Sequence, residues 1–283
     1  MFRIFTDRHF GPQNPLFNPI EFLRIAVEHR HLIRRLAIRQ IRGKYVGSVL
    51  GLLWSALNPL FLLAVFTFVF SVVFQARWGV ELENRTHFAL VLFSGLLVYN
   101  LLQHCLTMAP SVVVNNPSFV KKVVFPLEIL PWILLIEGIF HAVVGFTVFF
   151  VAYFVIMGFP PASAFFLPLV LLPLCLFLLG SMWLIASIGV YVRDLGQVMG
   201  VLVLTLMFLS PLFYPLEAVP ERYRIVIHLS PLTYVLSQVR EILFWGGSPN
   251  WIVFSFSVVA TATFAWLSFD WFMVTKRGFS DVV

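Results

Sequence analysis

The chain has 283 residues, 60% of them hydrophobic and only 11% charged, with a mean hydropathy of +0.94. Water-soluble domains carry about a quarter of charged residues, so a bilayer is the solvent here, and repeated apolar stretches of roughly 20 residues leave little length for a separate soluble domain. The net charge of +6 does not point to nucleic acid, because the basic residues gather beside the first apolar stretch instead of interleaving with aromatics on a polar surface; anionic lipid headgroups are the partner that suits them.

Residues 1–19 are polar and rich in Pro and Asn, without the short apolar core of a cleaved signal peptide, and are expected to form an N-terminal tail. Over residues 20–47, Arg24, Arg30, Arg34, Arg35, Arg39, Arg42 and Lys44 alternate with Ile25, Leu32, Ile33, Leu36, Ile38 and Ile41 at helical spacing. Such a stretch is either an amphipathic helix lying in the membrane interface or a basic stop signal beside a span. Gly43, Gly47, Gly51 and Ser55 recur every fourth residue, a spacing at which small side chains let another helix approach closely.

Six spans are predicted within residues 48–275, over 49–74, 88–108, 129–157, 165–191, 198–213 and 251–274. Pro59 predicts a kink or junction in the first, and the fifth barely reaches the roughly 30 Å of hydrocarbon. Residues 110–126 form a polar interlude with Asn115, Asn116, Lys121 and Lys122, the right size for a short helix that docks on another protein. Residues 214–250 hold His228, Ser230, Thr233, Ser237, Gln238, Arg240 and Glu241, too many costly groups for a lipid-facing span, and read as a re-entrant or surface-lying helix pair broken at Pro231. An even number of spans puts both termini on one side. The excess of Lys and Arg there, with Lys121, Lys122, Arg193, Lys276 and Arg277 on the same side, makes that side cytoplasmic and the 214–250 segment external; residues 276–283 are then a cytoplasmic tail.

Catalytic machinery is not evident: the seven histidines are scattered, Cys105 and Cys175 fall inside apolar runs, and no phosphate-cradling GxxxxGK[ST] loop is present. Energy from ATP must therefore enter through a partner. Glu137, about two turns inside the third span, is by position a functional candidate or a side chain that snorkels to the surface, and His141 one turn on shares its surroundings. Most of the 32 phenylalanines face lipid. Tyr99, Phe208, Phe213 and Tyr214, next to polar or Pro positions, are the candidates for lining a path, where aromatic faces suit the apolar faces of sugar rings.

The stretch from Arg39 through Gly43, Lys44, Tyr45, Gly47 and Trp54 to Asn58-Pro59, the stretch from Asn116 to Pro126 with Glu128 and Pro131, and Arg193-Asp194-Leu195, Ser210-Pro211 to Pro215 and Pro231-Leu232-Thr233 together resemble the membrane subunits of type-2 ATP-binding-cassette polysaccharide exporters, which move O-antigen, capsule and teichoic-acid chains. Ser230 departs from the family's usual Asn, and the C-terminal tail is less charged than usual. The resemblance covers about residues 34–279 and implies an all-α integral membrane fold of six transmembrane helices, with an N-terminal amphipathic interface helix, a cytoplasmic coupling helix and an external re-entrant pair. It further implies a homodimer in the bacterial cytoplasmic membrane, paired with two nucleotide-binding ATPase subunits that hold ATP and Mg²⁺, this chain itself needing neither cofactor nor metal. Arg34, Arg35, Arg39, Arg42, Lys44 and Tyr45 would then meet the headgroup of a lipid-linked polysaccharide, and Asn115, Asn116, Phe119, Lys121, Lys122 and Phe125 would couple to the ATPase. A permease for another amphipathic lipid or a drug-like substrate, a secondary transporter and a stand-alone lipid flippase stay open as alternatives. The last two should carry ion-coupling carboxylates at mid-membrane, for which Glu137 is the one candidate.

Overall fold

The computed structural model of the chain describes residues 19–69, 85–120, 125–216, 219–228 and 230–282. Every regular element among them is helical: α1 (Glu21–Glu28), α2 (Arg30–Gly43), α3 (Trp54–Phe66), α4 (Arg85–Met108), α5 (Pro117–Val120), α6 (Leu130–Met157), α7 (Leu167–Tyr191), α8 (Leu195–Leu209), α9 (Glu221–His228), α10 (Pro231–Arg240) and α11 (Trp251–Thr275), with short 3-10 and π turns between. Five stretches are long and apolar enough to cross a bilayer: Gly51–Val69, His87–Ser111, Leu127–Met157, Ala162–Tyr191 and Trp251–Ser280. The remaining apolar helix, α8, has 15 residues and extends about 22 Å, short of the roughly 30 Å hydrocarbon layer.

In lipid no hydrophobic force draws helices together, so close packing must come from shape. Helix α4 sits at the centre of the bundle, and its neighbours reach it through glycines. A Cβ on Gly138 of α6 would lie 2.9 Å from Leu101 Cδ1, and one on Gly145 would lie 2.5 Å from Leu97 Cδ2. Helices α7 and α11 form the most extensive pair, and a Cβ on Gly180 would lie 2.8 Å from the Ala265 Cα. The three glycines singled out from the sequence behave otherwise. Gly43 ends α2, while Gly47 and Gly51 lie in the turns before α3 with φ of +86° and +52°, and a Cβ on any of the three would meet nothing within 4 Å. They do not form one helical face; the left-handed backbone of Gly47 and Gly51 instead swings the chain from α2 into α3.

The expected continuous helix over residues 20–47 is also interrupted. His29 leaves helical geometry at φ −97° and ψ 16°, dividing the stretch into α1 and α2. Pro59, by contrast, is accommodated inside α3.

Each end of the bundle is closed by polar contacts. At one end the break between α9 and α10 falls just before Pro231, which opens α10 as its first residue, where its missing N–H costs nothing. The guanidinium of Arg240, 5% exposed, donates to the Pro211 and Leu212 carbonyl oxygens at 2.7 and 2.8 Å. The Ser163 hydroxyl donates to the Ile242 carbonyl oxygen at 2.6 Å, and Ser210 and Ser230 hydroxyls meet at 2.9 Å. These bonds satisfy a segment whose Leu232, Val235, Leu236 and Val239 are buried against the bundle. At the other end Lys276 pairs with Glu128 at 2.5 Å, the Trp183 indole N–H donates to the Glu128 carbonyl oxygen at 3.1 Å, and Phe279 is fully buried, so the chain's last turn is clasped to the start of α6.

Candidate functional site

Helix α2 lays one stripe on α6: Ile33 and Ala37 are buried, and Gln40 and Lys44 continue the same face at helical spacing. Where that stripe turns polar, α6 presents Glu137, 3% exposed. Gln40 Nε2 donates to Glu137 Oε2 at 2.7 Å, and Lys44 Nζ lies 3.7 Å from Oε1. From α4 comes His104, its Nε2 3.6 Å from Glu137 Oε2, and from one turn along α6 comes His141, its Nε2 3.9 Å from Oε1. Gly138 makes this meeting possible, because its missing side chain lets His104 close in; a Cβ there would stand 3.2 Å from the imidazole Cδ2. The two imidazole rings face each other edge to face at 5.9 Å between centroids, and the Tyr45 ring lies 6.2 Å from that of His141. Burial, and then the negative charge of Glu137, push the Tyr45 phenol above its ordinary pKa, so it stays a neutral donor.

A cavity of about 610 Å³ opens beside the cluster, bordered by Lys44, Tyr45, Asn58, Asn100, His104 and His141 together with Trp54 and Pro59. Pro59 has no N–H to offer the carbonyl one turn earlier, at Ser55, and both residues border the cavity. A second hollow, of about 500 Å³, lies between α2 and the segment after α4, and its wall includes Arg39, Gln40, Asn115, Asn116 and Phe119. Gln40 therefore touches the cluster on one side and this hollow on the other. Asn116 Nδ2 donates to the Val112 carbonyl oxygen at 2.9 Å, and Phe119 and Phe125 stack at 4.2 Å, which with Asn115 on the same wall brings four of the sequence-predicted coupling residues to one place. Lys121 and Lys122 lie outside the described residues.

Arg34, Arg35, Arg39 and Arg42 are exposed along α2. Among the described residues none of them has a carboxylate within ion-pair distance, so their charge faces outward, at hand for an anion. The four aromatic candidates divide. Phe208 is 60% exposed, its ring 6.1 Å from Phe213, and the Tyr214 hydroxyl donates to the Phe208 carbonyl oxygen at 2.9 Å, so these three form one group at the far end of α8. Tyr99 stands apart, buried, with its hydroxyl donating to the Val203 carbonyl oxygen at 3.2 Å. The sequence reading overlooked Gln40 and His104. The signal for Gln40 was its helical spacing from Ile33 and Ala37 on the face of α2 that meets α6; His104 carried only its place in the latter half of the second span.

Five helices of bilayer length, with a basic helix packed across one end above a buried carboxylate cluster, define a multi-pass membrane protein. The chain belongs to the ABC-2 type transporter membrane family, whose pattern it matches over residues 31–244, a range that takes in α2, the cluster and the segment after α4. It is similar to the O-antigen export system permease protein RfbA of Myxococcus xanthus, 25% identical over 227 residues that make up 80% of this chain and 85% of that protein. It is similar also to two proteins of the same description from Klebsiella pneumoniae, 26% and 25% identical over 216 residues, 75% of this chain and 80% of each relative.

Proposed function

We propose that this chain is the transmembrane subunit of an ATP-driven exporter that moves a lipid-linked polysaccharide, an O-antigen, capsule or similar glycan, from the cytoplasmic to the external face of the bacterial cytoplasmic membrane. The observation that carries this reading is the likeness to O-antigen export permeases over 75–80% of the chain, together with the family match over residues 31–244, the range that holds the basic helix and the Glu137 cluster.

In this reading α3, α4, α6, α7, α8 and α11 are six spans, both termini are cytoplasmic, and α9 with α10 forms the external re-entrant pair. Two copies pair, and the polymer passes between them. The open apolar face of α8, with Val198, Val201, Leu204 and Phe208 each more than half exposed, supports a second copy as cover for a helix that is short for a lone span. Two ATPase subunits, which bind ATP and Mg²⁺, dock on the segment from Asn115 to Phe125. Arginines of α2 draw the anionic headgroup to the inner leaflet. Closure of the ATPase pair pushes the docking segment, and α2 and α6 pass the displacement to the spans.

The test is ATPase activity of the chain co-purified with a cassette ATPase in vesicles, with and without a lipid-linked polysaccharide, alongside a variant carrying Lys121→Glu and Lys122→Glu. Hydrolysis that responds to the polymer and loses that response in the variant is the expected result. Failure to form a complex with any cassette ATPase, together with transport driven by an ion gradient, would replace the reading with a secondary transporter.

A further inference from the structure

The partners of Glu137 are unequal. Its one short hydrogen bond comes from Gln40 at 2.7 Å, whereas Lys44 stands 3.7 Å away, beyond hydrogen-bond distance. The Lys44 side chain is 49% exposed and the Glu137 side chain 4%, so the carboxylate is fixed and the ammonium borders open space. That space is the 610 Å³ cavity, within the roughly 300–1,000 Å³ of small-ligand sites. Tyr45, Asn58 and Asn100 on its walls offer neutral donors, and among the described residues Glu137 is the one carboxylate paired with Lys44. The Nε2 atoms of His104 and His141 are buried, and among the described residues neither has a partner at hydrogen-bond distance.

We infer that Glu137 is a built-in stand-in for an anionic ligand: it holds Lys44 while the cavity is empty and releases it to the phosphate groups of a lipid pyrophosphate that enters. The ligand class rests on the exporter reading; the exchange itself rests on the geometry. Lys44 passes from one anion to another and is never without a counter-charge. Glu137 keeps its bond from Gln40, and the imidazoles of His104 and His141, 3.6 and 3.9 Å from its oxygens, stand near enough to close in on the carboxylate that Lys44 leaves. Because Gln40 also borders the hollow beside Asn115, Asn116 and Phe119, the state of Glu137 is felt at the docking segment.

The test uses the full chain in lipid nanodiscs without its ATPase partner, with radiolabelled polyprenyl pyrophosphate and inorganic pyrophosphate as probes and polyprenol as the uncharged control. Glu137→Gln keeps an oxygen to accept from Gln40 and removes the competing charge, so it should tighten polyprenyl pyrophosphate binding roughly tenfold. Lys44→Met should weaken binding by a similar factor, and adding Glu137→Gln to Lys44→Met should give no gain, since the gain acts through Lys44. Unchanged or weaker binding by Glu137→Gln at an unchanged melting temperature would overturn the inference, as would a gain that persists without Lys44. Equal affinity for inorganic and polyprenyl pyrophosphate overturns the lipid assignment and leaves a free-anion site. Should Glu137→Gln fail to fold, the swap of Lys44→Glu with Glu137→Lys keeps the pair; lost binding supports the exchange and retained binding sinks it. A chain that joins no cassette ATPase yet gains affinity on Glu137→Gln loses the exporter reading and keeps the exchange.

Discussion

Gly189 on α7 is where the bundle leaves no room for a methyl group. A Cβ there would lie 2.2 Å from the Pro110 carbonyl oxygen, 2.8 Å from its Cα and 2.9 Å from its carbonyl carbon, roughly an ångström inside van der Waals contact with backbone that no rotamer change can move. Gly189→Ala must separate α7 from the 3-10 turn Ala109–Ser111, at a cost of about 1–3 kcal/mol. For a chain of this size that is a fall in melting temperature of about 2–5 °C, measurable in detergent by tryptophan fluorescence. The same turn leads from α4 into the docking segment, so ATPase stimulation by the polymer should fall as well. Gly196 and Gly200 on α8 are the controls: nothing stands within 4 Å of a Cβ on either, and alanine should gain up to about 1 kcal/mol each from helix propensity. A Gly189→Ala protein as stable as wild type would refute the packing argument. Loss of stability in Gly196→Ala or Gly200→Ala would mean that a second copy covers α8 at those positions.

Lys276→Met should cost on the order of 3 kcal/mol, because it strands the buried Glu128 carboxylate, and adding Glu128→Gln should recover part of that loss; protease release of the C-terminal turn measures both, and equal release from the single and double variants would refute the pairing. Arg240→Met should cost a similar amount, on the order of 3 kcal/mol, by leaving two buried carbonyl groups without donors. Arg240→Lys should recover little of it, since a single ammonium lacks the guanidinium fork; cleavage within residues 214–230 reports the difference.

The spans were legible because a bilayer demands a long unbroken apolar stretch, and five of the six predicted centres coincide with helices of that kind. The break between α9 and α10 was legible from Pro231. The break at His29 was not, since neither Gly nor Pro marks it and the basic periodicity runs through it. Rows of small residues proved ambiguous: Gly43, Gly47 and Gly51 have the spacing of a packing face but serve as turns, while Gly138 and Gly145, seven apart on α6, make the contacts. Spacing says which residues share a face, not what the face meets. Glu137 drew notice as a carboxylate inside a span. Its firmest partner, Gln40, lies 97 residues earlier, and that contact exists only because α2 folds back across α6.

Polar groups at the two ends of the bundle are held with different firmness. Around Arg240 the donors and acceptors meet at 2.6 to 2.9 Å, the condition under which a buried polar network fixes one arrangement. Around Glu137 one bond is short, and the other three partners stand at 3.6, 3.7 and 3.9 Å beside an open cavity. A buried carboxylate with slack partners costs stability that tighter packing would have saved, and the same slack allows those partners to change. The end bearing α2 is therefore the end suited to switching, and the end bearing α10 the fixed frame it moves against.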